Sequence, residues 1–454
     1  MQVLIKTYGC QMNSYDSEAM FNILREKFSA QATDSVELAD LVILNTCSIR
    51  EKAEEKVFSE LGRWRKQKEK NPDLIVGVTG CVASQEGESI IKRAPVVDFV
   101  LGPQTIHRLG DMVSKHRKKP QKQVDVSFPA IEKFDHLPKP RPSGVNSYVS
   151  IMEGCNKYCS FCIVPYTRGE EVSRPFKDVI KEVVALAENG VKEVNLLGQN
   201  VNDYYGQLDD GVGDLALLIH YVSAIEGIER IRFTTSHPNA FTRELAQAYA
   251  EEPKLVSHLH FPVQSGSDRI LTAMKRGYGA SEYLDKIAMI KEARPNIAFS
   301  SDFIVGFPGE TEHDFQQTMD LIDKVQFDVS FSFIYSPRPG TPAASLEDNT
   351  PLSVKKERLA LLQEKLLHYS TMHAHSMKGK TFPVLIEGMD RKTRKFLQGR
   401  TENNRVVLVP GQRNYIGSVI NVDITEICAN TLRGRVNNLS TKQPMEEFCE
   451  ATEI

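Results

Sequence analysis

The sequence predicts an α/β protein with three parts: an N-terminal parallel-sheet α/β domain, a central partial (β/α)6 barrel, and a small C-terminal antiparallel β-barrel. Three observations predict it. The first hundred residues alternate short apolar runs with amphipathic stretches, the βαβ signature of a parallel sheet. The same alternation resumes between about 146 and 335 with six strand-and-helix units, fewer than the eight of a complete barrel. Past about 378 the helical periodicity stops, and β-like runs follow one another between glycine and polar turns. A chain of 454 residues has room for three such parts at about 150 residues each.

In the N-terminal part the strand candidates are VLIKT (3–7), LVILN (41–45), LIVGVT (74–79) and VVDFVLG (96–102), with helical patterns over 16–28 and 50–70. A stretch with Lys115, Arg117, Lys118, Lys119 and Pro120, then Pro129, Pro138, Pro140 and Pro142, reads as a linker with a boundary near Phe134–Ser143. The middle part offers SYVSIME, EVNLLG, RIRFTTS, SHLHFPV, IAFSSDFIVG and VSFSFIY as strands, with helices at 175–189, 214–225, 241–251, 281–292 and 311–325. A further helix near 352–376 leads out of it. The last part reads as TFPVLIEGM, KFLQGR, RVVLVP, GSVINVDITEI and LRGRV. The expected domains are 1–134, 141–374 and 376–438.

With 41% hydrophobic and 25% charged residues, the composition excludes wholesale disorder and collagen-like repeats. No apolar run approaches the length of a membrane span and the N-terminus lacks a signal-peptide pattern, so the expected compartment is the cytoplasm. Eight cysteines are too sparse for a disulfide scaffold and read as metal ligands, catalytic thiols or core residues. A net charge of −3 argues against a chain coated in nucleic acid, yet residues 378–437 hold eleven basic against five acidic side chains. A compact barrel with that surplus favours a phosphate backbone as partner over a merely solvated surface. Its candidate contacts are Arg391, Lys392, Arg394, Lys395, Arg400 and Arg405.

The strongest short motif is GCNKYCSFC, which sets Cys155, Cys159 and Cys162 in a CxxxCxxC array after the first strand of the middle part. Zinc wants four ligands, whereas a 4Fe-4S cubane held by three cysteines leaves one iron open to a small molecule. Gly154, Asn156, Lys157 and Ser160 make the segment a polar loop, which argues against three thiols packed in a core. Cys10, Cys47 and Cys81 form a second set. Each follows a strand candidate, so a parallel sheet brings all three to one carboxyl edge, within reach of a shared ligand. Cys428 and Cys449 have no such setting; Cys428 reads as barrel packing and Cys449 sits in an acidic tail.

CxxxCxxC after the first strand of a partial β/α barrel resembles the radical S-adenosylmethionine superfamily, and GCNKYCSFCIVPYTRGEEVSRP resembles its methylthiotransferase family. The resemblance covers almost the whole chain, since that family ends in an RNA-binding TRAM barrel. It implies that the open iron of the Cys155, Cys159 and Cys162 cluster chelates S-adenosylmethionine, which on reduction yields a 5′-deoxyadenosyl radical. It also implies that Cys10, Cys47 and Cys81 hold an auxiliary 4Fe-4S cluster. TYGCQMN and HLHFPVQSGSDRILTAMKRGY look most like the members acting on tRNA prenylated at the adenosine 3′ of the anticodon. These add a methylthio group at adenine carbon 2, using one S-adenosylmethionine to methylate sulfur and a second to form the radical. Flavodoxin or ferredoxin is the kind of electron donor implied.

By the same resemblance Phe161, Gly198, Gln199, Ser236, Gln264 and Val305 are candidates to meet S-adenosylmethionine; as residues alone they read equally as turn and cap positions. No side chain is expected as a catalytic acid or base. Arg168, Glu170 and Arg174 orient substrate or pair with one another. His258, His260, His373 and His375 read as satisfied or solvated imidazoles rather than ligands. Two alternatives stay open: a sister methylthiotransferase acting on threonylcarbamoyladenosine tRNA or a ribosomal-protein aspartate, and a non-catalytic iron–sulfur sensor that binds RNA. Met12 before Asn13 disfavours the aspartate-modifying sister, which typically has lysine there.

Overall fold

The computed structural model describes residues 1–47, 51–128, 134, 144–390, 392–429 and 431–437. Two compact units divide the chain at Tyr369 and Ser370, so the N-terminal and middle parts form one unit. Most of the expected linker boundary, and Cys449, lie outside the described residues.

The N-terminal sheet contains β1 (Gln2–Thr7), β2 (Gln31–Ala32), β3 (Leu41–Thr46), β4 (Ile75–Gly80), β5 (Phe99–Leu101) and β6 (Gln123–Asp125), in the order β2-β1-β3-β4-β5-β6 and parallel throughout. Its apolar runs are continuous because both faces are covered: Val42, Leu44, Val76, Val78 and Trp64 fill one side, Ile43, Ile75, Phe99 and Leu101 the other. β6 corrects the linker expectation. Its stretch is charged because it is the sheet's edge: Lys122 donates to the Pro95 and Val97 carbonyls, and Lys115, Arg117 and Lys118 end the helix Leu109–Lys118, where the dipole favours cations.

The middle part runs β7 (Asn146–Ser150), β8 (Met152–Glu153), β9 (Val172–Ser173), β10 (Glu193–Leu197), β11 (Tyr205–Leu208), β12 (Gly211–Asp214), β13 (Arg230–Phe233), β14 (His258–His260), β15 (Ala298–Ser300), β16 (Asp302–Val305) and β17 (Phe331–Ile334). β7, β10 and β13 pair in parallel, β14 pairs with β15, and β16 with β17, while single parallel bridges at Ile231 with Leu255 and Gln264 with Phe303 continue the arc. The run IAFSSDFIVG is thus broken at Ser301. One apolar core, with Val149, Val194, Ile231, Leu259, Phe303 and Tyr283 fully buried, joins this arc to its helices. Each such side chain contributes about 2–3 kcal/mol by leaving water.

From Ser370 onward, β18 (Thr381–Met389), β19 (Leu397–Thr401), β20 (Val406–Val409), β21 (Val419–Ile427) and β22 (Leu432–Val436) close a barrel in the order β18-β19-β20-β22-β21. It is antiparallel except at β20 with β22, which pair in parallel. Five strands in a closed ring cannot alternate direction all the way round, so one parallel pair is obligatory. Cys428 follows β21, half-buried, its N–H donating to the Thr431 carbonyl.

Candidate functional site

β1, β3 and β4 are neighbours in the sheet, and Cys10, Cys47 and Cys81 stand within three residues of their carboxyl ends. Glycine lets these loops close together. A Cβ at Gly9 would lie 2.7 Å from the Cβ of Cys47, and one at Gly80, whose φ is +92°, would lie 2.2 Å from the Thr46 carbonyl. Cys10 caps the helix Gln11–Phe28, and Asn13 ties it to the next strand. Asn13 Oδ1 accepts from the Cys10 thiol at 3.3 Å, while its Nδ2 donates to Asn45 Oδ1 and to the Thr46 carbonyl, both at 3.0 Å. Asn45 Nδ2 donates back to the Asn13 carbonyl at 2.8 Å. Hydrogen bonding with Cys47, with Arg168 nearby, brings the Cys10 thiol down to about 6. Burial pushes Cys81 up.

The second set lies on the loop after β8. Burial pushes Cys155 up to about 11 and Cys162 up to about 12, with the neighbouring thiols adding to each. Cys159 is buried, and two side chains aim N–H groups at its sulfur. Arg276 Nη1 lies 3.4 Å from it and also holds the Pro262 carbonyl through Nη2 at 2.8 Å. His237 Nε2 is 3.9 Å away; its Nδ1 accepts from the Asn239 N–H, which leaves the ring proton on Nε2. Burial, reinforced by Arg276, pushes His237 down to about 2, so the ring is neutral.

Among the described residues no three His, Cys, Asp or Glu side chains converge as the shell of a single metal ion would. Each triad instead presents soft sulfur donors from separate loop positions, a donor set that suits an iron–sulfur cluster.

The remaining expected residues distribute as follows. Gln199 accepts the Gly154 N–H at 2.6 Å, beside Cys155. Gly198 is buried against Met152. Ser236 is 4% exposed and its hydroxyl is unpartnered among the described residues, a buried polar atom that suits a polar ligand. Gln264 takes a φ of +75° and links β14 to β16 through its backbone. Val305 is buried in the core with its carbonyl accepting from Tyr335. Phe161 packs on the apolar group Ile270, Met274, Phe307 and Tyr335. Arg168 and Arg174 do not pair with Glu170: Arg174 binds Glu182, and Arg168 is bound inside the protein by Asp16 and Glu153. His258 Nε2 and His260 Nδ1 both meet the Ser300 hydroxyl, and His260 also reaches Asp302, but the buried His258 Nδ1 has no partner among the described residues, so the expectation of a satisfied imidazole fits His260 and not His258.

In the barrel, Asp390 accepts from the Thr393 N–H and hydroxyl, both at 2.8 Å, and so shapes a turn on which Lys392, Arg394 and Lys395 are exposed. Arg391 lies outside the described residues. Arg400 pairs with Glu387 at 3.1 Å, and Arg405 donates to the Ser370 carbonyl at 2.6 Å. Both of these guanidinium groups serve the barrel itself. The sequence alone does not single out His237 or Arg276; the one signal it offers for His237 is a place after Ser236 at a strand end.

A partial β/α barrel with three cysteines on the loop after its first strand defines a radical S-adenosylmethionine domain, and the Radical SAM superfamily matches residues 149–322. The Uncharacterized protein family UPF0004 matches residues 2–102, and the TRAM domain matches residues 375–436. Proteins named tRNA-2-methylthio-N(6)-dimethylallyladenosine synthase are similar over nearly the full length. The one from Legionella pneumophila (strain Corby) is 59% identical, covering 96% of this chain and 98% of its own. That from Francisella tularensis subsp. holarctica (strain FTNF002-00 / FTA) is 58% identical, covering 96% and 99%. This chain belongs to the tRNA-2-methylthio-N(6)-dimethylallyladenosine synthase family. Among solved structures, the radical S-adenosylmethionine methyltransferase TsrM from Kitasatospora setae, with tryptophan and a S-adenosylmethionine analogue bound, superposes with a TM-score of 0.53 at 14% identity, over 76% of this chain and 75% of that one. The cobalamin-dependent radical enzyme OxsB gives 0.52 at 12%, over 82% and 56%. At those identities the likeness is one of fold. No helix among the described residues is long and apolar enough to cross a membrane.

Proposed function

We propose that this chain transfers a methylthio group to adenine carbon 2 of N6-dimethylallyladenosine next to the anticodon of tRNA. Residues 1–134 are assigned as the auxiliary-cluster domain, 141–374 as the radical domain and 376–438 as the RNA-binding TRAM barrel. The observation that carries the reading is the presence of two thiol triads in one compact unit, Cys10, Cys47 and Cys81 at a sheet edge and Cys155, Cys159 and Cys162 at a barrel strand end. When bound, two 4Fe-4S clusters supply the electron that cleaves S-adenosylmethionine and a site for the sulfur that is transferred.

The chain's own residues do the rest. Cys155, Cys159 and Cys162 hold three irons of one cluster and leave the fourth to S-adenosylmethionine. Arg276 and His237 donate N–H groups toward the Cys159 sulfur, which offsets the charge of a thiolate there. Gln199 fixes the backbone in front of Cys155, the Ser236 hydroxyl offers a polar contact, and Phe161, Gly198, Gln264 and Val305 line the approach for adenosine. Lys392, Arg394 and Lys395, with Arg391, meet RNA phosphates. A flavodoxin- or ferredoxin-like protein supplies electrons, and the cytoplasm, where tRNA is modified, is the compartment.

The test is an anaerobic reaction of the reconstituted protein with reductant, S-adenosylmethionine and either prenylated or unprenylated tRNA, read by nucleoside mass spectrometry. A methylthio-nucleoside forms from the prenylated tRNA only; its absence refutes the assignment. Cys155→Ala abolishes 5′-deoxyadenosine release, whereas Cys10→Ala retains that release and loses thiolation. Equal loss of both in Cys10→Ala contradicts the division between the triads.

A further inference from the structure

Arg168 is the last residue of the helix Val164–Arg168, which starts two residues after Cys162, and its side chain is 3% exposed. A buried guanidinium persists only with partners, and these come from both halves of the unit. Nη1 donates at 2.5 Å to Oε1 of Glu153, which ends β8 and precedes Gly154 and Cys155. Nη2 donates at 2.8 Å to Oδ2 of Asp16, on the helix that Cys10 caps. Asp16 and Glu153 are themselves 1% and 2% exposed. The positive charge of the same guanidinium acts on the Cys81 thiol, and the Arg168 carbonyl accepts from Gln104 of the N-terminal part. Apolar contacts of Met12 and Tyr15 with Leu197, and a 3.0 Å hydrogen bond from Thr234 to Gln11, brace the same junction.

A fork of fixed N–H directions therefore joins the strand end before the CxxxCxxC loop to the helix that Cys10 caps. We infer that Arg168 is a positioning residue that fixes the auxiliary cysteine set against the radical-forming loop and keeps a positive charge close to it. The inference rests on the proposed reading of Cys81 as a cluster ligand. It assigns Arg168 no contact with RNA, from which its burial removes it. Lysine cannot replace the fork, since one ammonium lacks the two divergent, fixed N–H groups that reach both carboxylates.

The test uses the reconstituted full chain and three variants, Arg168→Lys, Arg168→Gln and Asp16→Asn. Three quantities are read: the reduction potential of the auxiliary cluster by electron paramagnetic resonance titration, the magnetic coupling between the two reduced clusters, and 5′-deoxyadenosine released per methylthio product. Loss of a positive charge close to a cluster lowers its potential, so Arg168→Gln has a lower auxiliary potential than the wild type. The coupling between clusters changes, and the 5′-deoxyadenosine released per product rises about tenfold. Arg168→Lys restores part of the potential but not the ratio. Asp16→Asn, which keeps the arginine and removes one anchor, raises the ratio less than Arg168→Gln and answers the question if the latter fails to fold. Potential, coupling and ratio all equal to wild type in the variants overturn the inference. A Cys81→Ala chain with undiminished iron overturns instead the ligand assignment beneath it.

Discussion

Replacing Asn13 by aspartate changes one atom in the buried junction between Cys10 and Cys47. Asn13 is fully buried, and its Nδ2 donates to Asn45 Oδ1 and the Thr46 carbonyl at 3.0 Å each. Aspartate puts an acceptor against both of these acceptors, beside a thiol, and a protonated carboxyl regains at most one bond. Two buried acceptors left without donors cost about 2–4 kcal/mol together. At about 2.1 cal/mol/K per residue, the unit ending at Tyr369 unfolds with an entropy of about 0.8 kcal/mol/K, which converts that cost to a Tm lower by about 3–5 °C. The assay is thermal unfolding of the metal-free protein, paired with iron and sulfide analysis after reconstitution. Asn13→Asp falls in Tm by that amount, and its iron content drops to that of Cys10→Ala. A Tm within about 1 °C of wild type with full iron would show that the asparagine pair does not hold the thiols together.

Burial, aided by Asp203, pushes the Glu171 carboxyl up to about 7 from an ordinary 4.5. Between those values the folded chain keeps a proton that the unfolded chain has lost, so Glu171 makes stability fall as pH rises through that window. Glu171→Gln lacks this fall; a Tm difference from wild type that stays constant between about pH 5 and 7.5 refutes it. At the barrel, the triple change Lys392→Ala, Arg394→Ala, Lys395→Ala weakens tRNA binding and lowers the slope of log affinity against log salt by about 2. Arg405→Ala, which loses its hold on Ser370, lowers barrel stability and leaves that slope as in the wild type.

The sequence made the architecture legible because strand and helix periods differ, and the five C-terminal runs match the barrel strands closely. It also placed Cys10, Cys47 and Cys81 on one edge, since parallel strands share a direction. Other features needed three dimensions. β6 hides in a charged stretch because the basic last turn of the preceding helix and Lys122 flank it at the edge of the sheet. Arg168 and Asp16 are 152 positions apart, and no local spacing announces that they meet. Arg276 lies 117 positions from Cys159, so its aim at that sulfur follows from the curvature of the barrel. In the barrel the basic count treated Arg400 and Arg405 like Lys392, although ion pairing and a carbonyl engage the first two.

The two triads differ in how far apart the chain holds them before it folds. Cys155, Cys159 and Cys162 sit within one short loop, and even an unfolded chain keeps them near each other. Cys10, Cys47 and Cys81 meet only after β1, β3 and β4 have paired, which requires closing two loops of more than thirty residues. In an unfolded full-length chain the thiols of the local triad therefore stay close without tertiary structure, while those of the N-terminal triad come together only once β1, β3 and β4 have paired. Perturbing the pairing of β1, β3 and β4 therefore disperses Cys10, Cys47 and Cys81, while Cys155, Cys159 and Cys162 stay within one loop.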